Sequence, residues 1–232
     1  MKLKLSDAVW LGVLLLSAAV ALVAFRYLAQ VGPVSPTVAQ NRFFHPWIFF
    51  HAGGAGVALL LGPLQFRPQL RKRWPTAHRW TGRAYVAACL IGGASGLVLA
   101  AGTSAGLLAQ WGFAAVGVLW LYVTAQGWRT ALAREWPEHR RWMIRSFALT
   151  FAAVTLRIYL PLALGQGFSL NSAYRVIAWL SWVPNALLAE FYLRSDVELR
   201  PRLPRDREPR AMQKLNASMH TVVKFTKDPV QP

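Results

Sequence analysis

Histidines and arginines set inside or against apolar runs are where this chain could do chemistry. One group is written twice: residues 74–85 read WPTAHRWTGRAY and residues 136–147 read WPEHRRWMIRSF. Trp74, Pro75, Arg79, Trp80 and Arg83 recur without a gap as Trp136, Pro137, Arg141, Trp142 and Arg145, and Tyr85 returns as Phe147. Each copy carries a histidine, His78 or His139, in neighbouring columns. The two arginines of each copy are four residues apart, so on a helix they share one face. An imidazole can ligate a metal or haem iron or accept a proton, and a guanidinium can clamp a phosphate or a carboxylate. Such groups at the start of a helix add to the free N–H groups and the dipole that favour an anion there. A second pair, His51 and Arg157, sits inside apolar sequence. The candidate binding residues are therefore His51, His78, His139, Arg83, Arg145 and Arg157, with His78 and His139 as the candidate metal or haem-iron ligands.

The elements that must position these groups are membrane helices. Hydrophobic residues make up 55% of the chain and charged residues 15%, against the ~25% charge usual in soluble domains. The net charge of +17 does not point to nucleic acid, because the basic residues gather between apolar runs and at the C-terminal end. Six stretches, near 9–28, 45–66, 82–101, 107–128, 143–164 and 173–193, approach or exceed the roughly 20 residues needed to cross a bilayer. The fold class expected is an all-α, polytopic membrane helix bundle. The first stretch follows Lys2 and Lys4 and is read as a retained helix, although Ala19-Val20-Ala21 also fits a signal-peptide cleavage site. Arg and Lys fill segments 67–80 and 129–142 and the end of the chain, whereas 102–106 and 165–172 have none. The positive-inside rule then places both termini and both Trp-Pro loops in the cytoplasm. The expected organisation is a transmembrane domain over 1–193 and a basic, unstructured tail over 194–232. Basic loops and tail would meet anionic headgroups, each residue contributing on the order of 1 kcal/mol.

An ionisable group at the centre of a membrane helix costs at least about 2.5–3.5 kcal/mol, so each calls for a reason. Counting from the helix ends at 1.5 Å per residue puts His51 and Arg157 both ~9–11 Å below the outer surface. No carboxylate falls at that depth, which leaves Arg157 backbone carbonyls, a bound anion or snorkelling. Glu190 is the natural partner for Arg83 or Arg145 at the inner level. Gly53, Gly54 and Gly56 beside His51, with Gly92, Gly93 and Gly96 on the next span, form bare ridges that suit close helix packing or a flat cofactor. Pro184 frees a carbonyl that Asn185 can satisfy. The lone Cys89 allows no intramolecular disulfide and reads as packing.

The stretches HPWIFFHAGGAGVALLLGPLQF, HRWTGRAY and HRRWMIRSFALTFAAVTLRIYLP resemble the bacterial membrane-protein family called domain of unknown function 2306, over roughly residues 43–165. The set that carries the likeness is His45-Pro46, His51, Gly62-Pro63, His78-Arg79, Gly82-Arg83 and the run from His139 to Pro161. The resemblance implies an integral membrane protein and assigns no activity. Three functions follow from the residues themselves. The first is a membrane redox component holding haem b, with His ligands, Arg at the propionates and glycines clearing space for the ring. The second is a non-catalytic or transport-like protein whose Arg and His sites bind anionic lipid, a quinone or another small anion; near-absence of intramembrane carboxylates argues against an acidic proton relay. The third is an enzyme acting on lipid headgroups, for which no Ser, Cys or Asp adjoins the histidines.

Overall fold

The computed structural model describes residues 5–198. Among them ten helical segments and no strand follow in order: α1 (Leu5–Ala29), α2 (Pro36–Ala39), α3 (Phe44–Gln65), α4 (Pro68–Arg73), α5 (Pro75–Ala101), α6 (Leu107–Leu132), α7 (Trp136–Thr150), α8 (Ala152–Gly165), α9 (Leu170–Leu180) and α10 (Val183–Glu198). Six helices are long and apolar enough to cross a membrane, with α7–α8 and α9–α10 each counting as one, Trp136–Gly165 and Leu170–Ser195. Of the described residues, 5–192 belong to one compact unit and 193–198 lie outside it. Most of the expected tail, 199–232, lies outside the described residues, as do residues 1–4.

Two spans begin earlier than hydropathy alone suggests. α5 starts at Pro75 and α7 at Trp136, so the repeated stretch belongs to the helices and does not precede them. Proline without an N–H is suited to the first turn, where no intrahelical partner exists for it. The Trp-and-Arg turns are too polar to register as apolar, yet they suit the interface. Trp74 and Trp136 are 58% and 60% exposed, so these paired indoles face away from the bundle.

The fifth span stays continuous through Phe151, whose dihedrals remain right-handed helical and whose N–H bonds the Phe147 carbonyl at 2.8 Å. The sixth breaks between α9 and α10, where Pro184 cannot donate. The Ser181 carbonyl there accepts from the Thr155 hydroxyl and from Asn185 Nδ2, at 3.1 Å for the latter. Asn185 thus takes up the Ser181 carbonyl, one residue beyond the Leu180 carbonyl that Pro184 frees, and ties α10 to α7 and α8 through Ala148 O and Thr155 Oγ1 as well.

α3 and α5 run antiparallel and pack most closely where Gly54 meets Gly92. A Cβ on Gly54 would lie 2.6 Å from the Gly92 nitrogen, so the backbones touch. This is the packing use of small residues in a membrane, where closeness of approach supplies the dispersion energy. Gly56 and Gly93 receive the Phe25 ring and the Leu121 side chain in the same way.

α5, α6 and α7 are tied by a knot of hydroxyl groups. The Tyr85 hydroxyl, fully buried, lies 3.0 Å from Ser146 Oγ and 3.0 Å from Thr150 Oγ1. Thr124 Oγ1 meets Ser146 Oγ at 2.7 Å, and Trp120 Nε1 donates to Thr150 Oγ1 at 2.9 Å. A polar group left unpaired in hydrocarbon costs several kcal/mol, whereas here each hydroxyl has a partner. Tyr85 and Ser146 come from the two copies of the repeat, so the copies are joined through their buried ends.

Candidate functional sites at two levels

The polar groups form two levels on the same helices. His51 bonds the carbonyl of Gly92, which lies 14 residues beyond His78 on α5, or ~21 Å along the axis.

At the level of the repeat, the two copies share one geometry and differ in their partners. Arg83 lies over the Trp80 ring at 4.8 Å and Arg145 over the Trp142 ring at 4.7 Å, the same three-residue stacking in each copy. The second copy is closed by protein. Arg145 reaches both carboxylate oxygens of Glu190, through Nε and through Nη2 at 2.9 Å. Glu138 lies 3.9 Å from Arg141, and His139 Nδ1 donates to the Gly127 carbonyl at 2.8 Å. Of the two partners open to Glu190 in the sequence, the structure selects Arg145 and leaves Arg83 exposed. In the first copy, His78 Nδ1 is buried without a hydrogen-bond partner. Arg71 and His139 are near enough to act on His78 electrostatically, so the two repeat histidines do share a neighbourhood.

At the other level, α1, α2, α3, α5, α6, α8 and α9 surround a cavity of about 260 Å³. His51 and Arg157 both stand on its wall, together with Tyr27, Asn41, Trp120 and Tyr174. His51 Nδ1 donates to the Gly92 carbonyl at 2.8 Å, and Gly96 makes room for the ring: a Cβ there would sit 3.0 Å from Nδ1. Arg157 Nη1 donates to the carbonyl of Ala153 one turn back on its own helix, at 3.0 Å. Among the described residues Arg157 has no carboxylate partner. Asp7 is paired with Arg67 at 3.0 Å, Glu138 with Arg141 and Glu190 with Arg145, all away from the cavity wall. The guanidinium therefore retains N–H donors beside an otherwise largely apolar space.

Of the six sequence candidates, the structure sets His51 and Arg157 on one cavity wall, while His78, His139, Arg83 and Arg145 lie at the level of the repeat. It does not bring the two sets together. Tyr27, Tyr174, Asn41 and Trp120 carry no sequence signal as site residues, since aromatic and amide side chains near span ends read equally well as interface anchors.

The two levels differ in how they would receive a haem. The glycine ridge beside His51 is taken up by Gly92 backbone, Phe25, Leu121 and the His51 ring itself, which leaves no flat strip there for a macrocycle. At the other level the donor set is compatible with a ligand atom: His78 has a bare Nδ1, and the His139 bond through Nδ1 leaves Nε2, the second-shell pattern of a metal-bound imidazole. Among the described residues no group of three or more His, Cys, Asp or Glu side chains is placed to hold a metal ion.

Six apolar spans with ionisable groups held among them define a polytopic helical membrane protein. The chain belongs to the family described as "Predicted membrane protein (DUF2306)", which matches residues 48–193: the match begins after His45-Pro46 and runs past Pro161 to Leu193 in the last span. No curated protein and no solved structure matches the chain.

Proposed function

We propose that this protein is a non-catalytic or transport-like component of the bacterial inner membrane, which binds a small amphipathic ligand at the His51–Arg157 cavity. Both termini and the Trp-Pro turns then face the cytoplasm, in keeping with the basic segments around them. The observation that carries the reading is Arg157, a cation on the wall of an apolar cavity with no carboxylate partner among the described residues. Placing a charge there without an anion is costly, and a ligand with an oxygen-acceptor head on an apolar body would offset that cost. The anionic headgroups that the basic loops would meet are a separate, surface interaction.

The test is ligand-dependent thermal stabilisation of the detergent-purified protein, with laurate, dodecyl phosphate and dodecanol as probes matched in chain length. The acidic heads should raise the unfolding midpoint and dodecanol should not. The rise should vanish in Arg157→Met. Equal shifts for all three probes, or shifts that survive in Arg157→Met, would overturn the reading.

A second reading rests on His78 Nδ1 and His139 Nε2. A haem b or a transition metal bound by these two imidazoles would make the protein a redox component, with exposed Arg83 available to a propionate. Here an absorption spectrum of protein expressed with haem precursor decides: a Soret band that shifts on dithionite reduction and is lost in His78→Ala supports it. A colourless protein rules out haem, and metal analysis that finds no stoichiometric transition metal rules out the rest.

A further inference from the structure

We infer that the cavity is built for a single aromatic ring carrying two oxygen functions, one whose oxygen accepts from Arg157 and a hydroxyl turned to His51. This rests on the proposed cavity site and names its ligand class.

The first argument is hydrogen-bond polarity. A carbonyl can only accept, so the 2.8 Å contact between His51 Nδ1 and Gly92 O requires the proton on Nδ1. In the neutral imidazole the lone pair is then on Nε2. The Nδ1–Cε1 edge of the ring lies against α5, where Gly96 is cut back to receive it. Nε2 is therefore the polar atom of His51 left to the cavity, and among the described residues it has no hydrogen-bond partner. Arg157 offers donors only. A carboxylate-headed alkyl chain satisfies Arg157 and leaves Nε2 unmet. A ligand with a hydroxyl as well satisfies both.

The second argument is shape. About 260 Å³ lies just below the ~300–1,000 Å³ of typical ligand pockets and suits one ring with any chain extending beyond. Among mostly small and aliphatic residues the wall carries five aromatic rings, Tyr27, Phe44, Phe113, Trp120 and Tyr174, with Phe113 and Tyr174 in an edge-to-face pair at 6.2 Å. Trp120 is not free to turn, because its Nε1 is bound to Thr150. Rigid rings favour offset or edge-on contact with another ring over contact with a mobile chain. Hydroxybenzoates and benzoquinols both have this chemistry, the first as anions and the second as neutral molecules.

The experiment measures equilibrium binding to the full-length protein in nanodiscs, using 4-hydroxybenzoate, benzoate, a short-chain benzoquinol, its quinone and laurate. The expected result is that at least one hydroxyl-bearing ring binds about tenfold more tightly than its partner lacking the hydroxyl. That preference should fall to within twofold in His51→Leu, while benzoate or quinone binding remains. If His51→Leu fails to fold, Gly96→Ala, which presses on the same imidazole from behind, should reduce the preference. Preference for 4-hydroxybenzoate over benzoate with no discrimination among the neutral rings identifies the anionic source, and the reverse identifies the quinol. Laurate binding with no hydroxyl preference would overturn this inference and leave the proposed cavity site standing. Failure of every probe to bind would overturn both.

Discussion

Arg145 and Arg157 lie on the same membrane span, 12 residues and ~18 Å apart, and they are solved in opposite ways. Arg145 is gripped at both ends of a carboxylate by Glu190 and stacked on Trp142. Arg157 has a carbonyl of its own helix and the side of a cavity. A charge that the protein neutralises itself is a brace between helices. A charge that it desolvates without neutralising points to something that arrives from outside. The contrast teaches that residue type and depth do not separate the two roles, and that the identity of the partner does.

The comparison breaks most clearly by removing each cation in turn. Arg157→Met should lower affinity for laurate or a ring carboxylate by roughly 10–100-fold, the weight of a charge-assisted hydrogen bond of about 1.5–3 kcal/mol. Its unfolding midpoint without ligand should stay level or rise, since a desolvated charge is gone. A fall in that midpoint would show that Arg157 is structural after all. Arg145→Met should do the reverse. It breaks the two-pronged contact with Glu190 and should cost about 1–2 kcal/mol, well below a fully buried pair because the Glu190 side chain is 41% exposed and screened. At this chain length that reads as a midpoint lower by about 3–6 °C, with laurate affinity within twofold of wild type. Arg145→Met combined with Glu190→Leu should recover most of the loss, and failure to recover would mean that the Trp142 stacking carries the stability.

Smaller effects sharpen the same contrast. Gly54→Ala and Gly53→Ala differ by one position. A Cβ at Gly54 drives into the Gly92 backbone, whereas one at Gly53 would meet only Leu28, at 3.6 Å. The first should cost about 1–3 kcal/mol and the second under ~0.5 kcal/mol by thermal unfolding. Between these two, Tyr85→Phe should cost on the order of 1 kcal/mol, since Ser146 and Thr150 keep other partners within the knot.

The spans were legible because hydrocarbon demands length and apolarity together, and that demand is written residue by residue. The ends that carry the repeat were not: the Trp-Pro-Arg turns of α5 and α7 are helical although hydropathy stops short of them, because the interface tolerates what the core does not. The shared depth of His51 and Arg157 could be counted from the helix ends, and the structure does set them on one wall. Which face of a helix they occupy could not be counted, nor could the partition of Glu190 between two equivalent arginines. The hydroxyl knot was invisible for a different reason. Thr124, Ser146 and Thr150 are ordinary residues in apolar helices, and only their convergence on Tyr85 gives them meaning.

Trp120 belongs to two assemblies at once, the aromatic wall of the cavity and the hydrogen-bonded seam of α5, α6 and α7. Free energy placed in one is therefore shared with the other. By linkage, a ligand that settles against this indole must tighten the seam by as much as a tightened seam improves the ligand's affinity. The cavity is in that sense a gauge of helix packing, and mutations in the knot, far from any ligand atom, should be read as changes in its calibration.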